Sequence, residues 1–385
     1  MERRDFLRVT LGGAAVALGF TLSRSAIAAP ARPGPSPYGP LQAADANGVR
    51  LPAGFRSRIV ARSGRRVAGT GYRWHGAPDG GACFPVDDGW IYVSNAELPH
   101  RAGGASAIRF AADGTIVDAY QTLSGTSRNC AGGGTPWQTW LSCEEVRFGY
   151  VYETDPTGVD AAVRRDAMGR FTHEAVACDP DRQVIYLTED EPDGCFYRFR
   201  PNRWADLGAG GTLEVLVGGP GDRGEASWVR VPDPTPAPGG TPTRYQVPGA
   251  KRFNGGEGCW YAGGTCWFTT KGDGRVWQLD AAADRFALAY DEHRVTDPPL
   301  TGVDNITGAS NGDLYVAEDG GNMEICVITP DQVVAPFLRV TGHRGSEITG
   351  PAFNPAGDRL YFSSQRGRTG TSEGGITFEI RGPFR

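Results

Sequence analysis

The residues best suited to chemistry lie in one stretch, residues 130–145, which reads Cys-Ala-Gly-Gly-Gly-Thr-Pro-Trp-Gln-Thr-Trp-Leu-Ser-Cys-Glu-Glu. Cys130 opens the stretch, and Glu144 and Glu145 form an acidic pair at its end. A thiolate and carboxylates are a mixed soft and hard set of metal ligands, and a glycine run lets backbone approach a ligand closely. The stretch therefore predicts a metal site. The alternative is a buried cysteine between two strands beside a solvated glutamate pair.

The rest of the chain repeats one arrangement of short strands. Its 385 residues include 56 glycines and 28 prolines, which are too many turn formers for long helices. Units of about 45 residues follow one another, each with a short first strand, an aromatic-rich second strand and an alternating third strand. Six such units predict an all-β fold, a six-bladed β-propeller in which each blade buries its neighbour's face. A sandwich or a pair of barrels is the alternative, and it does not explain the period.

The sixth unit lacks an outer strand, which the N-terminal end of the repeat can supply. Residues 55–62 read Phe-Arg-Ser-Arg-Ile-Val-Ala-Arg and alternate as a strand does. We expect this strand to close the ring and so remove an exposed edge. The predicted organisation is one propeller domain over residues 51–385, with the proline-rich and glycine-rich residues 218–243 as a surface loop insertion.

The propeller geometry gathers acidic residues at one mouth of the channel. The first two strands of a blade are antiparallel, so the starts of first strands and the ends of second strands share one face of the ring. The first-strand starts are Asp79, Cys130, Glu174, Glu257, Asp304 and Glu347. The second-strand ends are Glu97, Glu144, Glu145, Glu189, Asp190, Glu191, Asp273, Glu318 and Asp319.

So many like charges in a narrow channel need compensating cations. Bound divalent or trivalent metal ions are the simplest compensation. Carboxylates in that number suit calcium, magnesium or manganese, and a thiolate beside them allows iron or zinc. The alternative for any single acid is a solvated turn residue, but a position shared by six units favours the metal site.

The N-terminus carries an export signal. Arg3 and Arg4 precede an apolar run rich in glycine and alanine, and residues 26–28 read Ala-Ile-Ala, the small-residue pattern of a signal peptidase site. Residues 1–28 are predicted to be a twin-arginine signal peptide, and residues 29–50 a proline-rich, extended and poorly ordered leader. We expect a secreted or periplasmic monomer that uses the twin-arginine export machinery and has no stable membrane association.

Charge and cysteine spacing exclude two further classes. The chain has 39 basic and 44 acidic residues without a basic run, which argues against nucleic acid as a partner. Its eight cysteines form no Cys-x-x-Cys pair, so a zinc ribbon is excluded. Cys259 and Cys266 flank a glycine turn and could face each other across a hairpin.

Several runs resemble the PhoX-type alkaline phosphatase family. They are Asn-Cys-Ala-Gly-Gly-Gly-Thr-Pro-Trp at 129–137 with Cys-Glu-Glu at 143–145, Gly-Arg-Phe-Thr-His-Glu-Ala at 169–175, Asp-Asn-Ile-Thr at 304–307 with Gly-Asp-Leu at 312–314, and Glu-Ile-Thr-Gly-Pro-Ala-Phe at 347–353. The resemblance extends from about Tyr38 to Gly367. It implies a six-bladed propeller, twin-arginine export, and phosphomonoester hydrolysis at a channel site that holds iron (Fe3+) and calcium. The family commonly reads Ser-Asn-His-Glu where this chain has Ala96 in place of the histidine.

The resemblance also implies the metal ligands. It makes Cys130 an iron ligand, with Glu174 and Glu257 as ligands beside it. The candidates for the remaining iron and calcium positions are Glu145, Asp304, Glu318 and Glu347. Glu97, Glu144 and Asp319, at the second-strand ends, complete the predicted set of metal ligands.

A metal-dependent phosphatase also needs groups that hold the phosphate of a small-molecule ester. Metal ions polarise the phosphoryl oxygens and activate water, so a Ser-His-Asp arrangement is not required. Lys271 and Arg366 stand at second-strand ends and are expected to bind the remaining phosphate charge; the alternative for each is a solvated charge. His173 is expected to orient the neighbouring Glu174.

Two other functions fit part of the sequence. A calcium-dependent propeller hydrolase of lactonase type would use one calcium ion in the channel and would have no use for Cys130. A non-enzymatic propeller would use its metals for stability and bind a ligand or partner at the mouth.

Overall fold

The structure is a computed structural model that describes residues 27–385. All but the last two positions of the predicted signal peptide lie outside these residues, so the export signal stays a prediction. Among the residues described, no helix is long and apolar enough to cross a membrane.

The described chain consists of short strands joined by turns. In chain order the strands are β1 (Arg32–Pro33), β2 (Val49–Arg50), β3 (Arg56–Arg62), β4 (Pro78–Val86), β5 (Gly89–Ala96), β6 (Gly103–Ala111), β7 (Ile116–Thr126), β8 (Asn129–Gly134), β9 (Trp140–Glu144), β10 (Val151–Thr154), β11 (Val163–Arg164), β12 (His173–Asp179), β13 (Val184–Glu189), β14 (Phe196–Pro201), β15 (Gly211–Gly218), β16 (Arg223–Arg230), β17 (Gly256–Ala262), β18 (Thr265–Thr270), β19 (Arg275–Asp280), β20 (Arg285–Asp291), β21 (Val303–Gly308), β22 (Leu314–Glu318), β23 (Glu324–Ile328), β24 (Val333–Val340), β25 (Ile348–Phe353), β26 (Arg359–Ser364) and β27 (Ile376–Arg381). Short 3₁₀ helices cover Asp166–Met168, Leu207–Ala209, Thr243–Tyr245, Lys271–Asp273, Glu292–Arg294 and Ser372–Gly374.

The strands form antiparallel meanders arranged as in a propeller. Three sheets have four strands each, in the orders β4-β5-β6-β7, β8-β9-β10-β11 and β25-β26-β27-β3, and a fourth combines β21 to β24 with β1 and β2. A nine-stranded sheet runs β12-β13-β14-β15-β16-β20-β19-β18-β17. The predicted all-β, propeller-like fold is thus confirmed, whereas six separate sheets are not seen among the described residues, because two meanders share the nine-stranded sheet.

The N-terminal strand β3 pairs with the last strand, β27. Their antiparallel register runs from Arg56 opposite Arg381 to Arg62 opposite Ile376. This is the pairing predicted for residues 55–62. It joins the two ends of the chain in one sheet, so β27 presents no free edge to solvent.

Residues 218–243 are not simply a loop, because they contain β16. This strand pairs with β15 along one part of its length and with β20 along another, and it thereby joins two meanders. The leader also packs on the sheets: β1 and β2 both pair with β24, and the Ala31 backbone N–H donates to the Ala289 carbonyl at 2.7 Å. The leader is held in place by these contacts, contrary to the expected poor order.

The hydrophobic core lies between neighbouring sheets. Side chains of β22 to β24 pack with those of β25 to β27 in one cluster that includes Phe337, Phe362 and Phe378. All five residues of β23 are buried, since both of its faces are covered. Such strands show little polar and apolar alternation, because neither face meets water.

Candidate metal centre

Irregularities at the starts of five first strands bring polar side chains together. In β4, β8, β12, β17 and β21 the first residue pairs normally, and the pairing register then shifts across the next two residues. The first residue inside each irregularity is an acid or a thiol: Asp79, Cys130, Glu174, Glu257 and Asp304. The next residue is small in four of the five cases: Gly80, Ala131, Ala175, Gly258 and Asn305.

The small residues allow close contact at the centre of the ring. A Cβ atom on Gly80 would lie 2.5 Å from the Cα atom of Ala131, and one on Gly258 would lie 2.5 Å from the backbone nitrogen of Ile306. Such distances admit only glycine. The backbone therefore narrows the channel directly beside the acids.

Beyond this constriction the channel widens into a cavity of about 380 Å³. Its walls include Phe84, Trp260, Tyr261 and Phe353, and none of the described residues that line it is charged. Among the described residues, the two ends of the channel therefore differ in charge, because the carboxylates lie at one end and the walls of this cavity carry none.

The ends of the second strands supply a second ring of polar residues. Ala96, Glu144, Glu189, Thr270 and Glu318 pair with the first residues of the first strands. The residues that follow are Glu97, Glu145, Asp190, Lys271 and Asp319. Because successive side chains point to opposite faces, only one residue of each consecutive pair can face the channel.

At the mouth, three groups of ligand atoms lie close enough to hold metal ions, with all atoms in a group within 4.8 Å of one another. The first group is Cys130, Glu145 and Glu174, and the second is Glu174, Glu257 and Asp304. The third is Asp79, Glu97 and Glu347. The Cys130 thiol also lies 3.5 Å from the Asp79 carboxylate, so the three groups form one continuous cluster.

Glu174 lies at the centre of this cluster and belongs to two of the three groups. It is fully buried, and neither of its carboxylate oxygens has a hydrogen bond among the described residues. Burial and then the charges of Glu257 and Glu145 raise its pKa well above the usual range. A buried carboxylate in this state must either hold a proton or bind a cation.

The pKa values of other acids in the cluster are raised as well. Burial raises the pKa of Glu145 to about 8, with Asp190 and Glu97 adding to the shift. Burial also raises the pKa of Asp304 to about 7, and that of Glu347 to about 10. The pKa of the Cys130 thiol is raised by burial and by Asp79. Without metal, the cluster therefore retains protons at neutral pH.

Lys271 and Arg366 both lie at this mouth, as predicted. Lys271 Nζ is 2.6 Å from Glu257 Oε1 and 3.5 Å from Asp319 Oδ2. Burial lowers the pKa of Lys271, but the charges of Glu257 and neighbouring acids outweigh it, so the net shift is upward and the amine stays cationic. Arg366 Nη2 is 2.8 Å from Glu347 Oε1. Both cations are about one third exposed, so a ligand in the channel can reach them.

His173 does not orient Glu174, so that prediction is wrong. Its ring stacks on Phe171 at a centroid distance of 3.6 Å, and its Nε2 atom lies 3.1 Å from the Gly169 carbonyl. Burial lowers the pKa of His173 to about 3, so the ring is neutral. The reason is the strand pleat, because adjacent residues of β12 point to opposite faces.

Glu144 and Glu318 also lie outside the channel cluster, in contrast to the prediction that they are ligands there. Glu144 accepts hydrogen bonds from the backbone N–H groups of Ser127 and Tyr150. Glu318 accepts from the backbone N–H groups of Thr301 and Glu324. Glu318 does approach Glu324 and Cys326, but its carboxylate is already occupied by these loop contacts. Both glutamates therefore fasten the loops of their own sheets.

Three residues of the site were not in the predicted ligand set. Asp79 and Asp190 appear among the acidic strand ends, but nothing in the sequence separates them from neighbouring acids. Gln365 was missed because an amide gives no charge signal. It follows β26 and donates from Nε2 to Asp79 Oδ2 at 2.5 Å and to Glu97 Oε2 at 3.0 Å. Its Oε1 atom is buried and has no partner among the described residues.

Ala96 occupies the same register position as Glu144, Glu189 and Glu318. Side chains at this position turn away from the acids, and Ala96 itself is buried. By this register, a histidine at position 96 would not lie among the channel acids. Its absence leaves the cluster complete.

The donors present fit metal ions. The Cys130 thiol with Glu145 and Glu174 offers one soft and two hard ligands, a set that suits iron, and the oxygen-only groups suit calcium. A cation would bind first to the two oxygens of Glu174, which have no hydrogen bond among the described residues. This arrangement could polarise a bound oxyanion while Lys271 and Arg366 hold its outer charge.

The chain is similar to known proteins in both sequence and fold. The family described as alkaline phosphatase PhoX matches the chain over residues 75–147 and 146–367. No curated protein matches it. Among solved structures, the chain is similar to Pseudomonas fluorescens PhoX in complex with vanadate, a transition state analogue, with 17% sequence identity, a TM-score of 0.73, and coverage of 92% of this chain and 98% of that chain.

Two further solved structures share the fold at lower similarity. One is a gluconolactonase from Xanthomonas campestris, with 15% identity, a TM-score of 0.50, and coverage of 90% of this chain and 99% of that chain. The other is a structural genomics protein of unknown function from Bacteroides thetaiotaomicron, with 9% identity, a TM-score of 0.51, and coverage of 85% and 76%. At these identities the likeness concerns the fold alone.

Proposed function

Because the chain belongs to the PhoX alkaline phosphatase family, we propose that it is an exported phosphatase that hydrolyses phosphomonoesters at the metal-binding channel mouth. The observation that carries this proposal is the cluster of Cys130, Glu145 and Glu174, in which the fully buried carboxylate of Glu174 has no hydrogen bond among the described residues. We propose that iron binds at Cys130, Glu145 and Glu174, and that calcium binds at the oxygen-only groups, including Asp304, Glu257, Asp79, Glu97 and Glu347.

The chain's own residues would bind and orient the phosphate. Lys271, which follows β18, and Arg366, which follows β26, lie at the mouth and present two cations to the ester's charged oxygens. Gln365 holds Asp79 and Glu97 in place, and Asp319 lies against Lys271. When bound, the metal ions would polarise the phosphoryl oxygens and lower the pKa of the attacking water.

The fold and the export route are part of the same proposal. Counting the two meanders joined by β16 as separate blades gives six blades, with β3 closing the ring. The twin-arginine pattern at Arg3 and Arg4 supports export of an already folded, metal-loaded protein to the periplasm or beyond. We propose that it acts there as a monomer.

The proposal is tested by turnover on two classes of substrate. Purified protein is assayed for phosphate release from p-nitrophenyl phosphate and for hydrolysis of gluconolactone, with and without vanadate. We expect phosphate release that vanadate inhibits, and no lactone hydrolysis. Lactone hydrolysis without phosphate release would replace the proposal by the lactonase alternative, and no turnover on either substrate would favour a binding protein.

A matched pair of cysteine variants adds a test of the site. Cys130→Ala removes the only thiol in the three ligand groups at the mouth, so we expect at least about a 100-fold loss of phosphate release together with loss of iron. Cys143→Ala removes a buried thiol of β9 that packs in the core, and it should reduce stability without removing iron. Equal iron content in the two variants would contradict the assignment of iron to Cys130.

A further inference from the structure

Asn95 is a buried amide of β5 that connects two neighbouring sheets. Its side chain is inaccessible to solvent. Its Nδ2 atom donates to the backbone carbonyl of Ala131 at 2.7 Å and to that of Cys130 at 3.2 Å. Its Oδ1 atom accepts from Trp140 Nε1 at 2.9 Å and from Ser142 Oγ at 2.8 Å. The amide therefore ties β5 to both β8 and β9.

These four hydrogen bonds exhaust the capacity of the amide and fix its orientation. An asparagine side chain has two donor hydrogens and an acceptor oxygen with two lone pairs, and all four are used here. The indole of Trp140 can only donate, so the amide oxygen must face it. In the opposite orientation the oxygen would face two carbonyls, which also only accept.

The carbonyls that Asn95 binds belong to the irregular part of β8. Asn129 pairs with Glu144 and Gly132 pairs with Ser142, so Cys130 and Ala131 lie outside the regular ladder. Regular strand pairing with β9 therefore does not fix this segment. The Asn95 amide binds both carbonyls and takes over that role.

The residue before Cys130 is held by the same network. Asn129 Nδ2 donates to Ser142 Oγ at 2.9 Å, and Asn129 Oδ1 accepts from Thr126 Oγ1 at 2.5 Å. Ser142 in turn donates to Asn95. The backbone on both sides of Cys130 is thus anchored to one connected set of buried polar groups, and such fully satisfied networks hold a single geometry.

We propose that Asn95 is the positioning residue for Cys130, because it holds the irregular segment that points the thiol at Glu145 and Glu174. This inference rests on the proposed function, in which Cys130 binds iron. Asn95 touches neither metal nor substrate in this account. It acts through the backbone carbonyls and sets the direction of the Cα–Cβ bond of Cys130.

The variant Asn95→Asp tests this role with almost no change of size. A carboxylate oxygen in place of Nδ2 would face the two carbonyl oxygens, so the segment must move. Asn354→Asp is the matched control. Asn354 is also buried and makes three hydrogen bonds, to Asp358 and Arg359. It lies in the turn that follows β25, whereas Glu347 precedes β25, so Asn354 is at the end of the strand away from the acids.

The experiment uses the proteins as purified with their metals. Iron content, the visible absorption from thiolate-to-iron charge transfer, and the melting temperature are measured for the wild type and both variants. The rate of alkylation of Cys130 in chelator-treated samples is measured by mass spectrometry. We expect Asn95→Asp to hold iron about 10-fold to 100-fold more weakly, with a shifted absorption band, and Cys130 alkylation to change at least about 10-fold. Asn354→Asp should lower the melting temperature only.

The outcomes separate this inference from the proposed function. An unchanged band, iron content and alkylation rate in Asn95→Asp would overturn the positioning role while leaving the iron site intact. Wild-type protein without iron would count against the proposed function. The alkylation rate would then decide alone: a changed rate supports the positioning of the thiol by Asn95, and an unchanged rate overturns it.

Discussion

At the scale of single residues, the site is organised by the alternation of side chains at strand ends. Glu144 and Glu145 are chemically identical neighbours, yet one fastens a loop and the other joins Cys130 and Glu174. The same division separates Glu318 from Asp319 and His173 from Glu174. Substitutions of two adjacent residues should therefore differ in effect: one should lower the stability of the protein, and the other should weaken metal binding.

Glu144→Ala and Glu145→Ala should have contrasting effects. The first removes the acceptor of the Ser127 and Tyr150 N–H groups, so the free energy of unfolding should fall by about 1–3 kcal/mol with iron retained. The second removes a proposed iron ligand, so iron affinity should fall at least about 10-fold. Denaturant unfolding and metal analysis of both variants measure this difference. Iron loss in Glu144→Ala alone would reverse the assignment.

The chain's two lysines provide a second comparison. Lys271→Gln removes a cation from the mouth, so kcat/KM for a phosphomonoester should fall about 10-fold to 100-fold, as expected for a lost charge-assisted contact. Lys251→Gln is the control, since Lys251 donates to the carbonyls of Gly219 and Gly221 and lies over the Phe286 ring, away from the acids. Steady-state kinetics decide, and equal kcat/KM values in the two variants would remove Lys271 from phosphate binding.

Residue types and spacing predicted that an acidic, thiol-bearing mouth would form, and seven of the eight residues in the three ligand groups belong to the predicted set of metal ligands. They could not predict which of two adjacent acids faces the channel. That choice depends on the phase of the pleat and on the register shift at each first strand, both of which are set by how the strand pairs and not by the type of the residue itself. Asn95 and Gln365 act only through contacts across sheets, so no local signal marks them.

At the scale of elements, ion pairs of Arg244 hold the long connection between β16 and β17 in place. The segment between β16 and β17 carries Arg244, whose guanidinium lies 2.9 Å from Glu189, 3.5 Å from Glu191 and 3.1 Å from Asp193. Glu189 is fully buried at the end of β13. These ion pairs hold residues 231–250 against the loop that begins at Asp190, directly after β13. The sequence indicated an insertion here but not β16, because its short pattern is polar and half exposed.

Arg244→Gln should destabilise the protein in a pH-dependent way. Burial raises the pKa of Glu189 to about 7 even though Arg244 lowers it. Removal of Arg244 leaves a buried carboxylate without its cation, which costs about 3 kcal/mol above pH 7. Below that pH the carboxyl group is protonated and the cost should shrink. Unfolding at pH 5 and pH 8 measures the difference, and an equal cost at both would show that the pair does not carry the loop's stability.

At the scale of the whole molecule, the ring concentrates charge that it cannot neutralise alone. The pKa values of Glu145 and Asp304, about 8 and about 7, lie above the ordinary value of about 4. At pH values between about 4 and about 8, the metal-free native state therefore binds more protons than the unfolded state. Stability is fully present at low pH and is lost as pH rises through the folded pKa values.

The chelated protein should consequently lose stability between about pH 5 and about pH 8, by at least about 2 kcal/mol, and added calcium and iron should restore it. Thermal unfolding across this pH range, with and without the metals, measures the effect. A metal-free protein that is equally stable at both ends of the range would show that the acids are compensated by other means.

The propeller itself was predictable from the strand period, since this period can be read from the sequence without knowledge of long-range contacts. The sharing of one sheet through β16 was not.

We propose that the acidic mouth holds metals that drive phosphomonoester hydrolysis. The most direct measurement is phosphate release from p-nitrophenyl phosphate before chelation, after chelation, and after return of iron and calcium, with the metal content of each sample determined. We expect iron and calcium in the active protein, loss of turnover when the metals are removed, and recovery when both are returned. Turnover that persists in metal-free protein, or a metal-loaded protein that releases no phosphate, would contradict it.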